Sequence, residues 1–242
     1  MNEYCGIILA GGKGTRLMPL TEHTNKHLLP VGGKPMIDYP VEKLTQIGIR
    51  DIMVVTGADH IGQIIDHLGS GAKFGCRFTY RIQDEANGIA GALGLCESFV
   101  GGRNCIVILG DYIFTFPLWR AYNSHLENGH GAMVVLKEVE SPERYGVAVL
   151  EEGGSGIDHI EEKPKKPVSK FAVTGIYIYD SKVWGYLPKL VKSRRGEFEI
   201  TDINNAYLRD MDLDHVFEAR GEWTDAGTPE SLQAAQEIVR AA

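Results

Sequence analysis

Cys5-Gly6-Ile7-Ile8-Leu9-Ala10-Gly11-Gly12-Lys13-Gly14-Thr15-Arg16-Leu17 is the stretch whose reading decides the fold. Its first half is an unbroken apolar run, the pattern of a strand covered on both faces. Its second half is a glycine loop that carries cations. Gly11, Gly12 and Gly14 have no Cβ, so the backbone can turn left-handed and bring N–H groups close to anionic oxygens. Lys13, Arg16 and the later Lys26 add positive charge around the same loop, and the combination favours a polyphosphate. An ordinary tight turn from strand to helix would use the glycines but has no need of Arg16 and Lys26. Two familiar phosphate loops fail: Lys13 is followed by Gly14 where a P-loop has Ser or Thr, and Leu17 stands where the dinucleotide fingerprint has its third glycine.

Working outward, Pro35 predicts the start of a helix through Met36, Tyr39, Val41, Leu44 and Ile47, stopped by Gly48. A strand at 52–55, a helix over 61–68, a strand at 78–80, a helix over 89–99 and a strand at 106–109 follow. Strands alternating with helices imply a parallel sheet covered on both faces. Ligands of such sheets bind beyond the carboxyl ends of the strands, where the glycine loop and Gly110-Asp111 both emerge. The second half changes character: 133–136, 146–150, 157–160 and 172–179 are strand-like with few helices between them, which predicts a mixed or antiparallel extension. Gly153-Gly154-Ser155-Gly156 reads as a hairpin turn and 163–167 as an exposed loop. Helices near 181–190 and over 201–209, a strand at 216–219 and a last helix capped by Thr228, with Pro229 at its first position, complete the chain. The expected fold class is α/β, a Rossmann-like, doubly wound sheet with a mixed or antiparallel β extension, in a single domain over 1–242.

With 242 residues and 43% hydrophobic content, the chain can bury roughly 70% of its unfolded surface without a staple. A formal net charge of −7 gives no basic field to attract nucleic acid or an anionic membrane, so neither is an expected partner. Cys5, Cys76, Cys96 and Cys105 show no Cys-x-x-Cys spacing and suit reduced thiols. No secretory pattern opens the chain and no apolar run approaches the roughly 18 residues that span a bilayer. A soluble, cytoplasmic protein is expected. His23 and His27 are four apart, but Thr24 breaks the His-Glu-x-x-His pattern and Pro19 and Pro30 disfavour a helix; Ser70 lacks the nucleophile elbow.

Two carboxylates stand out. Asp111 follows a fully apolar strand, a common position for a group that holds Mg²⁺ against a nucleotide. Asp225 precedes the last helix. Either could equally be a helix N-cap. At this point the ordered series Leu9-Ala-Gly-Gly-Lys-Gly-Thr-Arg-Leu17, Pro19, Thr21, Lys26 and Leu28-Leu29-Pro30 resembles the opening of the sugar-1-phosphate nucleotidyltransferases, most closely the short glucose-1-phosphate thymidylyltransferases.

The resemblance implies Mg²⁺-dependent transfer of a nucleotidyl group from dTTP to glucose 1-phosphate, with UTP or another sugar 1-phosphate as the nearest alternative. It implies Arg16, Lys26, Lys163, Asp111 and Asp225 as catalytic residues, the two aspartates gripping Mg²⁺. Leu9, Ala10, Gly11, Gly12, Gly14, Thr15, Arg16, Gln83 and Gly88 would bind the nucleotide. Tyr145, Gly146, Glu162, Lys163 and Val173, with Thr174 beside it, would bind the sugar phosphate. Residues 1–130 would form the nucleotide-binding part, and 131–242 the sugar-binding part with its closing helices. The chain departs from the family pattern at Tyr112, usually Asn, at Ala86, often Pro, and at Gly91, often Gln. Longer relatives carry further C-terminal helices, so a monomer without that regulatory site is expected. A nucleotide-dependent oxidoreductase and an inactive regulator on the same fold are the rivals from other classes.

Overall fold

The computed structural model describes residues 3–129, 131–154, 156–218 and 220–241. The strand over Tyr4–Ala10 (β1) is buried along its whole length. After the glycine loop come a two-residue ribbon, Pro30–Val31 (β2) and Lys34–Pro35 (β3), and the first helix, Asp38–Gln46 (α1). Next are Asp51–Gly57 (β4), Ile61–Leu68 (α2), Arg77–Gln83 (β5), Ile89–Gly94 (α3), Glu97–Val100 (α4) and Asn104–Leu109 (β6). Tyr112–Phe114 (β7), Trp119–Asn128 (α5), Ala132–Glu138 (β8), Gly146–Leu150 (β9), Ile157–Glu162 (β10) and Phe171–Tyr179 (β11) follow. Val183–Tyr186 (α6), Ile200–Arg209 (α7), Leu213–Phe217 (β12), Trp223–Asp225 (β13) and Pro229–Ala241 (α8) end the chain.

The parallel strands run in the order β6-β1-β4-β5, as the alternating pattern implies. β11 joins β6 antiparallel and is flanked on its other side by β8, which carries β12 in parallel. The β9–β10 hairpin attaches to the start of β11. The mixed α/β fold and its antiparallel extension are therefore as expected. Ser155 of the predicted hairpin turn and Ala219 of the predicted 216–219 strand lie outside the described residues, as does His130.

Period-two alternation builds two cores from each strand. Cys5, Ile7 and Leu9 face one side with Ala90, Leu93 and Ile203; Tyr4, Ile8 and Ala10 face the other with Val41, Leu44 and Ile64. Fully burying each such Ile or Leu contributes about 1.5–3 kcal/mol. At Gly6 a Cβ would lie 2.8 Å from Leu44 Cδ1, so glycine is what lets α1 settle onto β1. A third core of Leu17, Leu29, Val31, Met36, Tyr39, Ile113, Ala226 and Ala235 clamps α8 over the segments that follow the glycine loop.

Several boundaries differ from expectation. Pro35 does not start the helix: Gly32 and Gly33, both at positive φ, turn the chain back so that Pro35 pairs with Pro30, and α1 begins at Asp38. That geometry belongs to a two-residue hairpin, which Gly-Gly serves well. The single helix expected over 89–99 is two, because Gly91 and Gly94 weaken it. The helix near 181–190 is only α6 followed by a 3₁₀ turn at Leu187–Lys189, where Pro188 lacks a donor. β7 and β13 were not anticipated, being three residues each. All four cysteines are buried and unbridged, and among the described residues no helix is long and apolar enough to cross a membrane.

Candidate active site

Leu9 and Leu109 are register partners on β1 and β6, so the glycine loop and Gly110-Asp111 leave the sheet side by side. Gly110 donates to Leu9 O at 2.9 Å, and a Cβ on it would lie 2.9 Å from His27 Cδ2. Asp111 then continues into β7, where Asp225 on β13 is the register partner of Tyr112. The Ala226 N–H donates to Asp111 O at 2.8 Å. This small ribbon joins two carboxylates far apart in the chain. Neither caps a helix; Thr228 does, accepting from the Ser231 N–H at 3.2 Å.

The two aspartates are held by different cations. Lys26 Nζ donates to Asp111 Oδ2 at 2.5 Å, and both side chains are largely covered. Arg144 Nη2 and the Tyr145 hydroxyl donate to Asp225 Oδ1 at 2.8 and 2.9 Å. Burial pushes both carboxyls up, but at Asp111 the Lys26 charge, His27 and the Lys26 hydrogen bond outweigh it and the net shift is downward. At Asp225 burial, reinforced by the Asp111 charge, outweighs Arg144 and Tyr145, and the net shift is upward.

A cradle lies between them. A Cβ on Gly227 would sit 3.1 Å from Arg16 Nη2, 3.2 Å from Asp225 Oδ2 and 3.7 Å from Asp111 Oδ2. One guanidinium and two carboxylates therefore face the same small volume. Among the described residues no further acidic, histidine or cysteine side chain completes a three-ligand metal cluster. A pair of carboxylates suits Mg²⁺, which usually takes one or two from the protein and the rest of its shell from water and substrate phosphates.

Two cavities open from this point. The larger, about 550 Å³, is lined by Arg16, Lys26, Asp111, Tyr145, Gly146, Glu162, Lys163, Val173 and Asp225, among others. The smaller, about 210 Å³, takes in Leu9, Gly11, Gly12, Gln83 and Gly88. Lys26, Ile89, Leu109, Asp111 and Glu197 line both, so the two form one cleft. Ala10, Gly14 and Thr15 line neither. Ala10 is fully buried, and Gly14, at φ 64°, packs against Lys26 Cβ and Thr21 Cγ2, each 3.0 Å from where its Cβ would be. These residues frame the loop.

In the larger cavity Glu162 Oε2 accepts from Thr201 Oγ1 at 2.6 Å, and Glu162 Oε1 lies 3.1 Å from Arg195 Nη1. Lys163 is bent back at φ 45°, its N–H on Tyr145 O at 3.0 Å, and its Nζ is 3.8 Å from Glu162 Oε1. Val173 lines the cavity, but Thr174 does not: its fully buried hydroxyl donates to Val135 O at 3.0 Å, across the sheet. Tyr112 is a wall of the larger cavity, edge-on to Trp223 with ring centroids 5.3 Å apart. Its ring fits because β11 bulges at Gly175, where a Cβ would lie 2.2 Å from Tyr112 Cε2.

Sequence reasoning missed Arg144, Arg195, Glu197 and Thr201. Arg144 directly precedes Tyr145 and Gly146, which the resemblance implied for the sugar, but only the ribbon pairing of Asp225 shows what it faces. Arg195 and Glu197 sit in a turn whose residues have no informative spacing.

His27 is buried and its ring is held by Asn25. Asn25 Oδ1 accepts from its Nδ1–H at 2.8 Å and from its backbone N–H at 3.0 Å. Burial, then the Lys26 charge, lowers its pKa from 6.5 to about 3, with Asp111 opposing. As pH falls through 6.5 the unfolded chain takes up this proton before the folded one, so the stability His27 provides is full above pH 6.5 and is lost toward pH 3. The wild-type unfolding midpoint should therefore fall more steeply than that of His27→Gln between about pH 7 and about pH 4.5. Parallel curves would show that His27 carries no such penalty.

A sequence profile of the nucleotidyl transferase family matches residues 5–241. A glucose-1-phosphate thymidylyltransferase of Neisseria meningitidis serogroup A is 42% identical over 240 residues, covering 97% of this chain and 82% of its own. A crystal structure of a Bacillus anthracis protein assigned as a glucose-1-phosphate thymidylyltransferase, in complex with sucrose, is similar with a TM-score of 0.93 at 53% identity, over 99% of this chain and 96% of that one. The structure of a UDP-glucose pyrophosphorylase complexed with UDP-glucose is similar with a TM-score of 0.84 at 25% identity, over 100% and 99%.

Proposed function

The chain belongs to the nucleotidyl transferase family, and on that premise we propose that it transfers a nucleotidyl group from dTTP to glucose 1-phosphate, with Mg²⁺, releasing dTDP-glucose and pyrophosphate. The observation that carries this proposal is the convergence of Arg16, Asp111 and Asp225 on one point beside Gly227, all three lining the larger of two cavities that share Asp111. The smaller cavity, with Gln83, Gly88 and the glycine loop, suits a nucleoside. The larger, with Glu162, Lys163 and Tyr145, suits a sugar phosphate.

In this mechanism a phosphate oxygen of glucose 1-phosphate attacks the α-phosphorus, a new P–O bond forms, and the bond to the β-phosphate bridging oxygen breaks. No covalent enzyme intermediate and no protein nucleophile are needed. Such transfer depends on positioning and on neutralising charge. Lys163 holds the attacking phosphate, its charge poised over the cavity beside Glu162. Arg16 and Lys26 meet the charge that builds on the leaving pyrophosphate. Asp111 and Asp225 would hold Mg²⁺, which when bound supplies charge neutralisation across the triphosphate.

A pyrophosphate-release screen of dTTP, UTP, dATP and dCTP against several sugar 1-phosphates tests the proposal. The fastest release should come from dTTP with glucose 1-phosphate, and none should be seen without Mg²⁺. A faster rate with UTP would correct the substrate. No release from any pair would refute the reaction.

A further inference from the structure

We propose that Asn87, in space left open by Gly91, is a positioning residue that locks the Gln83 amide so that only its carbonyl oxygen faces the nucleobase. This inference rests on the nucleotide assignment above. Asn87 lies just before the Gly88 N-cap of α3, and Gly91 is in its first turn. A Cβ on Gly91 would lie 2.0 Å from Asn87 Oδ1 and 2.7 Å from its Cγ, so the Asn87 side chain occupies the place any larger residue at 91 would take. From there Asn87 Oδ1 accepts from Gln83 Nε2 at 2.9 Å, and Gly88 O accepts from the same nitrogen at 3.4 Å. Both N–H groups of Gln83 are thus used within the loop.

The remaining oxygen has no donor among the described residues, and it lies 3.0 Å from where a Cβ on Gly11 would be, beside the glycine loop. Asn87 itself is well anchored. Its backbone oxygen accepts from the Phe198 N–H at 2.7 Å and its N–H donates to Glu85 O at 2.8 Å. The cavity is therefore lined by an acceptor, Gln83 Oε1, and by Gly88, whose N–H no backbone oxygen among the described residues takes up. An acceptor beside a donor matches the N3–H and O4 of an imide pyrimidine, thymine or uracil. Cytosine presents the opposite pair, a bare N3 and an amino group. With Gln83 locked, cytosine leaves both sides unpaired, and a site built for one hydrogen-bonding pattern rejects the inverse strongly. An unlocked Gln83 could rotate its amide and offer a donor to cytosine N3.

The test compares dTTP with dCTP, by kcat/KM in pyrophosphate release, for wild type, Asn87→Ala, Asn87→Asp and Gly91→Gln. Asn87→Ala and Gly91→Gln should each lower the dTTP-over-dCTP ratio by about tenfold or more, the scale of one misdirected hydrogen-bonding group. Asn87→Asp keeps an acceptor for Gln83 Nε2 and should keep the ratio. A ratio unchanged in Asn87→Ala, with both rates lowered alike, would overturn the proposal, as would an Asp variant that behaves like Ala. A second readout needs no substrate: the Gln83 side-chain NH₂ resonances, identified by their loss in Gln83→Ala, should exchange slowly in wild type and rapidly in Asn87→Ala. Slow exchange in a wild type that uses neither dTTP nor UTP would leave the lock standing and sink the nucleotide assignment. Fast exchange in wild type would sink the lock.

Discussion

Alanine at Asp111 should lower kcat by about 10²- to 10³-fold, the usual cost of removing one preorganised electrostatic contact to the transition state. The carboxylate belongs to none of the three hydrophobic cores, so the circular dichroism spectrum and the nucleotide-free fold should survive. What it loses is a charge held at the junction of the cleft, its oxygen 2.5 Å from Lys26 Nζ and facing the cradle beside Gly227. Asp111→Asn keeps the shape and removes only the charge, so it should be almost as slow. Raising Mg²⁺ should not restore either variant fully. An Asp111→Ala enzyme within a few-fold of wild type would remove this residue from the chemistry.

Arg16→Ala should have an effect of similar size, about 10²-fold or more in kcat, with a smaller change in the KM for glucose 1-phosphate. Arg16 is exposed and, among the described residues, makes no side-chain hydrogen bond or ion pair; its Nη2 reaches the point shared with the two aspartates. Its role as proposed is to meet charge on the departing pyrophosphate. Lysine at this position should rescue poorly, because a planar fork that can bind two phosphate oxygens is replaced by a single ammonium. Full activity in Arg16→Lys would mean that charge alone suffices there, and full activity in Arg16→Ala would refute the assignment.

The parallel half of the sheet was legible because β1, β4 and β6 are buried on both faces and so read as plain apolar runs. The convergence of the glycine loop with Asp111 followed from strand direction alone. The metal role of Asp225 came only through resemblance, since nothing in its neighbourhood distinguishes it from an N-cap until β7 and β13 pair. Three-residue strands leave too short a pattern to read. Thr174 shows the same limit from the other side: alternation along β11 should have placed it opposite Val173, and the structure does so, with its hydroxyl across the sheet on Val135. Pro35 misled because a proline serves a hairpin after Gly-Gly as well as a helix start. Gly91 looked like a departure from a family pattern, and only its contact with Asn87 shows what the missing side chain makes room for.

The central claim is that Asp111 and Asp225, brought together by one short ribbon, grip a single divalent ion on the triphosphate. A crystal grown with Mn²⁺ and a dTTP analogue carrying a non-hydrolysable α,β-linkage would locate that ion by its anomalous signal. One Mn²⁺ peak bonded to an oxygen of each aspartate and to the analogue's phosphates is the predicted result. A peak on the phosphates with either carboxylate turned away, still paired to Lys26 or Arg144 and out of bonding range, would contradict it.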